Sequence, residues 1–165
     1  MLKEQRSTSY IVAALIVMGY IFYRSTFIQS AYVLPAVMQS LFQSQPFTAL
    51  FSTFTFQYGE QLVSLQALGY FGFVAFFGNK IWLFITYFIL AYLWFIGLSG
   101  RIRGRLVPGV VSWLLAVSYA AADEFHQTLT SPVFALKEDV ILAGISISLA
   151  IFVSWMLTNS KKTRN

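Results

Sequence analysis

Four stretches of this 165-residue chain, 10–28, 81–98, 106–122 and 140–157, are apolar over a membrane-crossing length, with Arg24 the one charge among them. About 17–25 mostly apolar residues, wound as a helix that closes its own backbone hydrogen bonds, cross a hydrocarbon layer of roughly 30 Å. The expected fold is therefore all-α: one integral membrane domain over 1–165 with four transmembrane helices. The remaining composition agrees. Only 10% of residues are charged and the mean hydropathy is +0.69, whereas soluble domains carry about 25% charged residues. Such a chain lacks the polar groups to cover a water-facing surface.

The net charge of +5 suggests nucleic acid until the charges are placed. Lys3 and Arg6 precede the first stretch, Arg101, Arg103 and Arg105 join the second to the third, and Lys161, Lys162 and Arg164 follow the fourth. With four spans these eight of the eleven basic residues share one side, and Arg24, Lys80 and Lys137 fall opposite. Basic residues near spans stay in the cytoplasm, so both termini are expected inside. The charge is a topology signal, and a short basic turn plus a tail do not make a nucleic-acid face. No small-x-small cleavage site follows the first stretch, which is expected to stay as an anchor. Cysteine is absent, which excludes disulfides, thiolate nucleophiles and Cys-type metal sites.

Residues 29–80 form the long outer connection in this reading. No charge occurs from Ser25 to Gly59, and phenylalanines are dense, as in "FTALFSTFTF". A fifth span over 62–78 would leave only Asn79 and Lys80 to turn and would reverse the charge asymmetry. An interfacial or re-entrant helical segment between spans 1 and 2 is expected instead. Small residues recur along the last two spans: Ser112, Ala116 and Ala120, then Ala143, Ser146, Ala150 and Ser154. In lipid, small residues let helix backbones approach closely, so these spans should pair as an antiparallel hairpin. Asp139 would then approach Asp123 and Glu124.

The third span runs into "AADEFHQT", with the only histidine of the chain. Asp123, His126 and Gln127, spaced i, i+3, i+4, can share a helix face. An imidazole beside carboxylates suits acid–base chemistry near neutral pH, while the plainer reading is a solvated span end. The candidate catalytic residues are Asp123, Glu124, His126, Gln127 and Asp139. HExxH and G-x-S-x-G are both absent, so neither a zinc hydrolase nor a serine nucleophile is expected, and no metal or cofactor is assigned. Arg24, Lys80 and Lys137 are candidates for lipid headgroups, against simple snorkelling.

The run "YAAADEFHQTLTSPVFALKEDVIL" resembles the acidic signature of VanZ-like membrane proteins, D-E-x-H-Q followed twelve residues after its Gln by Asp, here Gln127 and Asp139. "NKIWLFITYFILAYL" is similar to a second element of that family, R-K-x-x-H-F-x-x-Y-x-x-L, with Lys80, Phe84, Tyr87 and Leu90 in place. "FYRSTFIQS" is similar to the end of its first span. The chain departs where the family has His (Leu83), Arg (Asn79 and Val133), Asp or Asn (Ala143) and Gly (Ser146). The resemblance implies a bacterial plasma-membrane protein whose outer-leaflet cluster influences susceptibility to teicoplanin-type glycopeptides, with membrane lipids, a lipid-linked envelope component or another membrane protein as partner. Two other classes stay open: a non-catalytic subunit of a larger membrane assembly, and an integral-membrane enzyme acting on a lipid-linked substrate. Transport is disfavoured, since no span carries a charge near its midpoint.

Overall fold

Residues 10–27, 81–98, 107–122 and 140–157 are helical in the computed structural model, which describes residues 2–27, 35–104, 106–130 and 136–162. Helix α1 spans Leu2–Phe27, and two short helices, α2 (Ala36–Leu41) and α3 (Thr48–Phe51), follow. Strands β1 (Thr55–Tyr58) and β2 (Gln61–Ser64) form an antiparallel hairpin with Thr55 opposite Ser64 and Tyr58 opposite Gln61. Three long helices complete the chain: α4 (Leu65–Ser99), α5 (Val107–Thr130) and α6 (Lys137–Lys162). Among the described residues three helices are long and apolar enough to cross a membrane: Glu4–Thr26, Leu65–Ser99 and Lys137–Thr158. Helix α5 has the length, but its Asp123–Glu124 pair enters any window long enough to span, and charged residues weigh heavily against insertion.

Side-chain contacts fix the helix directions. Arg24 reaches Asn79 at one end of α1 and α4, and Ser7 reaches Gly97 at the other, so the two run antiparallel. Tyr87 meets Asp123 while Phe95 lies beside Gly109, so α5 is antiparallel to α4. The Trp113 indole N–H donates to Ser148 at 3.0 Å and Gly109 lies against Ile151, so α6 is antiparallel to α5. The result is an up-down-up-down bundle, and α4 touches all three other long helices.

Small residues make that packing possible. Ser112, Ala116 and Ala120 of α5, and Ala143, Ser146, Ala150 and Ser154 of α6, are all buried, as the small-residue hairpin expectation requires. The buried hydroxyls are satisfied: Ser112 and Ser154 donate to carbonyls one turn back, and Ser146 donates across to the Phe84 carbonyl of α4. The α1–α4 crossing is equally close. A Cβ on Gly97 would stand 2.8 Å from Ile11, and one on Gly100 would stand 2.9 Å from Ser7. Facing outward, α1 exposes Leu15, Ile16 and Phe22, and α6 exposes Ile141, Ile145 and Phe152.

The long connection differs from expectation. It ends at Ser64, because α4 begins sixteen residues before Ile81, and Asn79 and Lys80 lie inside that helix. Ser64 caps α4 by accepting from the Ala67 N–H at 3.1 Å, and Gly69, at φ 68° and ψ 171°, kinks it. That backbone conformation is essentially restricted to glycine. The β-hairpin is also a departure from an all-α chain. A partial signal is present in the sequence, where Gly59 and Glu60 separate the aromatic, β-branched run TFQY from QLVS, which carries Val63 alone of that kind. Val63, Phe73 and Phe76 form a second core here, with Phe51, Phe56 and Tyr58 packed around them. The first turns of α4 and the hairpin thus build an aromatic cap on one end of the bundle.

Replacing Gly97 or Ala116 by Leu forces side-chain volume into a closed helix crossing and should cost about 1–3 kcal/mol. Thermal unfolding of the purified protein in detergent should show a lower midpoint for both. Gly19→Leu, where nothing lies within 4 Å of the added Cβ, should leave the midpoint unchanged.

Candidate functional site

Helix lengths carry the polar side chains to one end of the bundle. At 1.5 Å per residue, Lys80 lies roughly 28 Å along α4 from Ser99, and Asp123 roughly 24 Å along α5 from Val107. Asp139 sits in the first turn of α6, which runs the opposite way from α5. These three therefore meet at the end where α1 presents Arg24. The opposite end gathers the start of α1, the α4–α5 connection and the end of α6.

Asp139 is the meeting point of three elements. One of its carboxylate oxygens accepts from the Lys80 ammonium of α4 at 2.6 Å and from the Tyr58 hydroxyl of β1 at 2.6 Å; the other accepts from Lys80 at 2.8 Å. Both side chains of the ion pair are largely enclosed, at 14% and 15% exposure. The ammonium also lies 4.5 Å from the Tyr58 ring centre and 5.2 Å from that of Phe76, where the negative ring faces attract it. Burial, and then its hydrogen bond to Asp139, push the Tyr58 hydroxyl well above its ordinary pKa. One residue further, Gly59 adopts φ +62°, and a Cβ there would stand 2.8 Å from Glu138. The hairpin tip is pressed onto the start of α6.

The "DEFHQ" run does not end its helix, as expected from the apolar stretch, but lies inside α5, which continues to Thr130. Asp123 accepts from the Gln127 amide at 3.1 Å and faces the Tyr87 hydroxyl at 3.4 Å, while Ser25 of α1, close by, donates to the Phe22 carbonyl at 3.0 Å. Glu124 turns towards α6, where it accepts from the Leu136 backbone N–H and lies in the fields of Asp139 and Lys80. Burial, and then the Asp139 charge, raise its pKa to about 7. His126 lies against Phe22 of α1, ring centres 4.8 Å apart and planes tilted by 38°. Asp123 Oδ1, Glu124 Oε1 and His126 Nδ1 are buried and have no hydrogen-bond partner among the described residues.

The expected convergence of carboxylates on α6 is therefore met by Glu124, while Asp123 points between α1 and α4. Of the headgroup candidates, Lys80 is committed to Asp139, Arg24 donates to Asn79 at 2.6 Å and lies 5.9 Å from the Trp82 ring centre, and Lys137 is exposed. Among the positions where the resemblance fails, Leu83 packs on the core, Ala143 and Ser146 fill the close helix crossings, and Val133 lies outside the described residues. Tyr58, Tyr87 and Phe22 complete the site although the polar pattern did not single them out. Tyr58 lies on the hairpin opposite Gln61, and no sequence spacing joins it to Asp139.

Chemically, the cluster is an ion-pair clamp beside two half-satisfied carboxylates. No carboxylate hydrogen bond orients the imidazole among the described residues, so a nucleophile–base–orienter series is not assembled. Nor does any group of three or more His, Asp or Glu there stand ready to hold a metal ion. No protein-family model matches the chain, and no curated protein or solved structure gives a significant match.

Removing one member of an enclosed ion pair leaves an uncompensated charge, which costs about 3–5 kcal/mol when burial is complete. Discounted for the residual exposure, Lys80→Met should lower stability by roughly 2–3 kcal/mol. The double variant Lys80→Met, Asp139→Leu should recover part of that loss in a thermal-unfolding cycle.

Proposed function

We propose that this chain is a four-span, VanZ-like protein of the bacterial plasma membrane, with both termini inside and its polar cluster at the outer leaflet. The observation that supports this best is the level of the charges. Lys80 and Asp123 stand roughly 24–28 Å from the far helix ends, close to the thickness of a hydrocarbon layer. In this reading α5 crosses as the fourth span beside its apolar partners. Its carboxylates leave the lipid at the boundary and are sheltered by α4, α6 and the hairpin. The uncharged segment from Ser25 to Gly59, with Val37, Leu41, Phe47 and Leu50 exposed, then lies against the outer interface.

Function is exercised at this outer end by engaging an envelope component whose hydroxyl or ammonium donors satisfy Asp123 Oδ1 and Glu124 Oε1. The consequence implied by the resemblance is altered susceptibility to teicoplanin-type glycopeptides. A binding role, alone or as a subunit of a larger assembly, is favoured over catalysis by the unoriented imidazole.

Two measurements test the reading. A single cysteine at Thr130, in a chain that otherwise has none, should react with a membrane-impermeant maleimide added to intact cells; labelling only after lysis would reverse the topology. Expression in a susceptible Gram-positive host should raise the inhibitory concentration of teicoplanin, and Asp123→Asn should abolish the rise at equal membrane levels. An unchanged susceptibility with verified expression removes the glycopeptide role. His126→Ala should keep the effect, whereas its loss at normal expression points to the enzyme instead.

A further inference from the structure

We infer that the outward side of α1 and α4, at the polar end of the bundle, binds the phosphate of a membrane phospholipid through Arg24. Arg24 is partly buried, and the chain offers it no counter-charge. All six Asp and Glu of the sequence lie among the described residues, and the ion pair formed there is Lys80–Asp139. A guanidinium stays charged at any pH the protein meets. An uncompensated charge at the edge of a hydrocarbon layer is costly, so the neutralising anion has to come from outside the chain.

The side chain is held in place for such an anion. Its Nη2 donates to Asn79 Oδ1 at 2.6 Å, and its Cζ lies 5.9 Å from the Trp82 ring centre. The guanidinium is thus folded back on α4, whereas a snorkelling arginine reaches away from the bundle. Among the described residues the bond to Asn79 is its one hydrogen bond, which leaves further N–H donors of the fork for a ligand. Two parallel N–H···O bonds from that fork match a phosphate.

The surroundings favour a lipid as the source of the phosphate. Tyr20 meets Trp82 edge-on, ring centres 6.4 Å apart, and both are exposed on the outside of the bundle. Tyr and Trp at a span end mark the headgroup level. Asn79 and Lys80 are consecutive in α4, so Arg24 stands at the level of the Lys80–Asp139 pair but on a different face of the helix. Further down α4, Ile85 and Ile89 are exposed four residues apart and give an acyl chain an apolar strip. Arg24 is the binding group, and Asn79 and Trp82 position it. The site rests on α1 and α4 lying in a membrane; it does not depend on which leaflet the polar end faces, or on the glycopeptide reading.

A dansyl fluorophore on Ile81→Cys, the single cysteine of the full chain, reports lipid beside Arg24 after reconstitution in phosphatidylcholine vesicles. Phosphatidylglycerol bearing a nitroxide high on one acyl chain should quench it at a mole fraction about tenfold lower than the equally labelled diacylglycerol, the margin of a charge-assisted contact. Arg24→Gln should remove that preference, and Arg101→Gln, at the other end of the bundle, should keep it. Equal quenching by the two lipids in the parent, a preference that survives Arg24→Gln, or one lost in Arg101→Gln would each overturn the site. Inorganic phosphate included during reconstitution should leave the quenching in place; its abolition would make the occupant a free ion and sink the lipid assignment. The comparison of the two lipids needs no change at Arg24, so a variant that fails to fold does not leave the question open. It also reads the same in either orientation, so a reversed topology at Thr130 and a failed lipid site are told apart.

Discussion

The Lys80–Asp139 pair is the contact on which the polar end of this molecule depends. It joins two parallel helices that are not neighbours in sequence, and the same carboxylate takes the Tyr58 hydroxyl, so the hairpin is fixed by the bond that fixes the helices. Enclosed ion pairs contribute little net stability compared with apolar packing, because desolvation offsets most of the attraction. What the pair supplies is register. Sliding α6 along α4 would leave a carboxylate and an ammonium unpartnered in an apolar surround, a far larger penalty than the loss of any single apolar contact.

Away from that end, the bundle is governed by how little volume its interfaces contain. Between apolar helices in an apolar solvent there is no hydrophobic drive, and association depends on close contact. Glycine, alanine and serine supply it: Gly97 meets Ile11, Ala116 and Ala150 are fully buried, and Ser146 reaches the Phe84 carbonyl. Large side chains such as Ile16, Ile141 and Phe152 point outward. This inversion of the soluble pattern is compatible with a lipid surround.

That inversion explains what the sequence allowed to be read. Helix existence followed from the apolar stretches, and the buried faces of α5 and α6 followed from the four-residue recurrence of small residues. Helix ends are less legible, because polar residues look like boundaries in a hydropathy pattern. Asp123, Glu124 and His126 continue α5, and Asn79 and Lys80 lie within α4, since their polar groups are met by other helices and by the cap. Hydropathy registers the cost of such residues in lipid but not the partners that remove it. Tyr58 illustrates the same limit: its contact with Asp139 is separated by eighty-one positions, and no local periodicity encodes it. The complementary split between Asp123 and Glu124, one towards Tyr87 and one towards Leu136, also depends on which helices flank α5.

The burial of two adjacent carboxylates has a further consequence for the kind of work this end can do. On one helix, consecutive residues point about 100° apart, so Asp123 and Glu124 cannot converge on one reacting atom as an acid–base pair. Each serves a different seam, one between α1 and α4, the other beside α6 and the hairpin. His126, three residues on from Asp123, is held by the Phe22 ring and not by a carboxylate bond. Catalysis by these residues would require α1 to release the imidazole and α5 to rotate, which the closely packed Ala116 and Ala120 resist. Recognition requires no such movement: a ligand that donates to either carboxylate would compete with, or reinforce, contacts that already hold the helices and the cap together. The cluster is thus suited to recognition at the polar end of the bundle, through contacts that use the same residues as they stand.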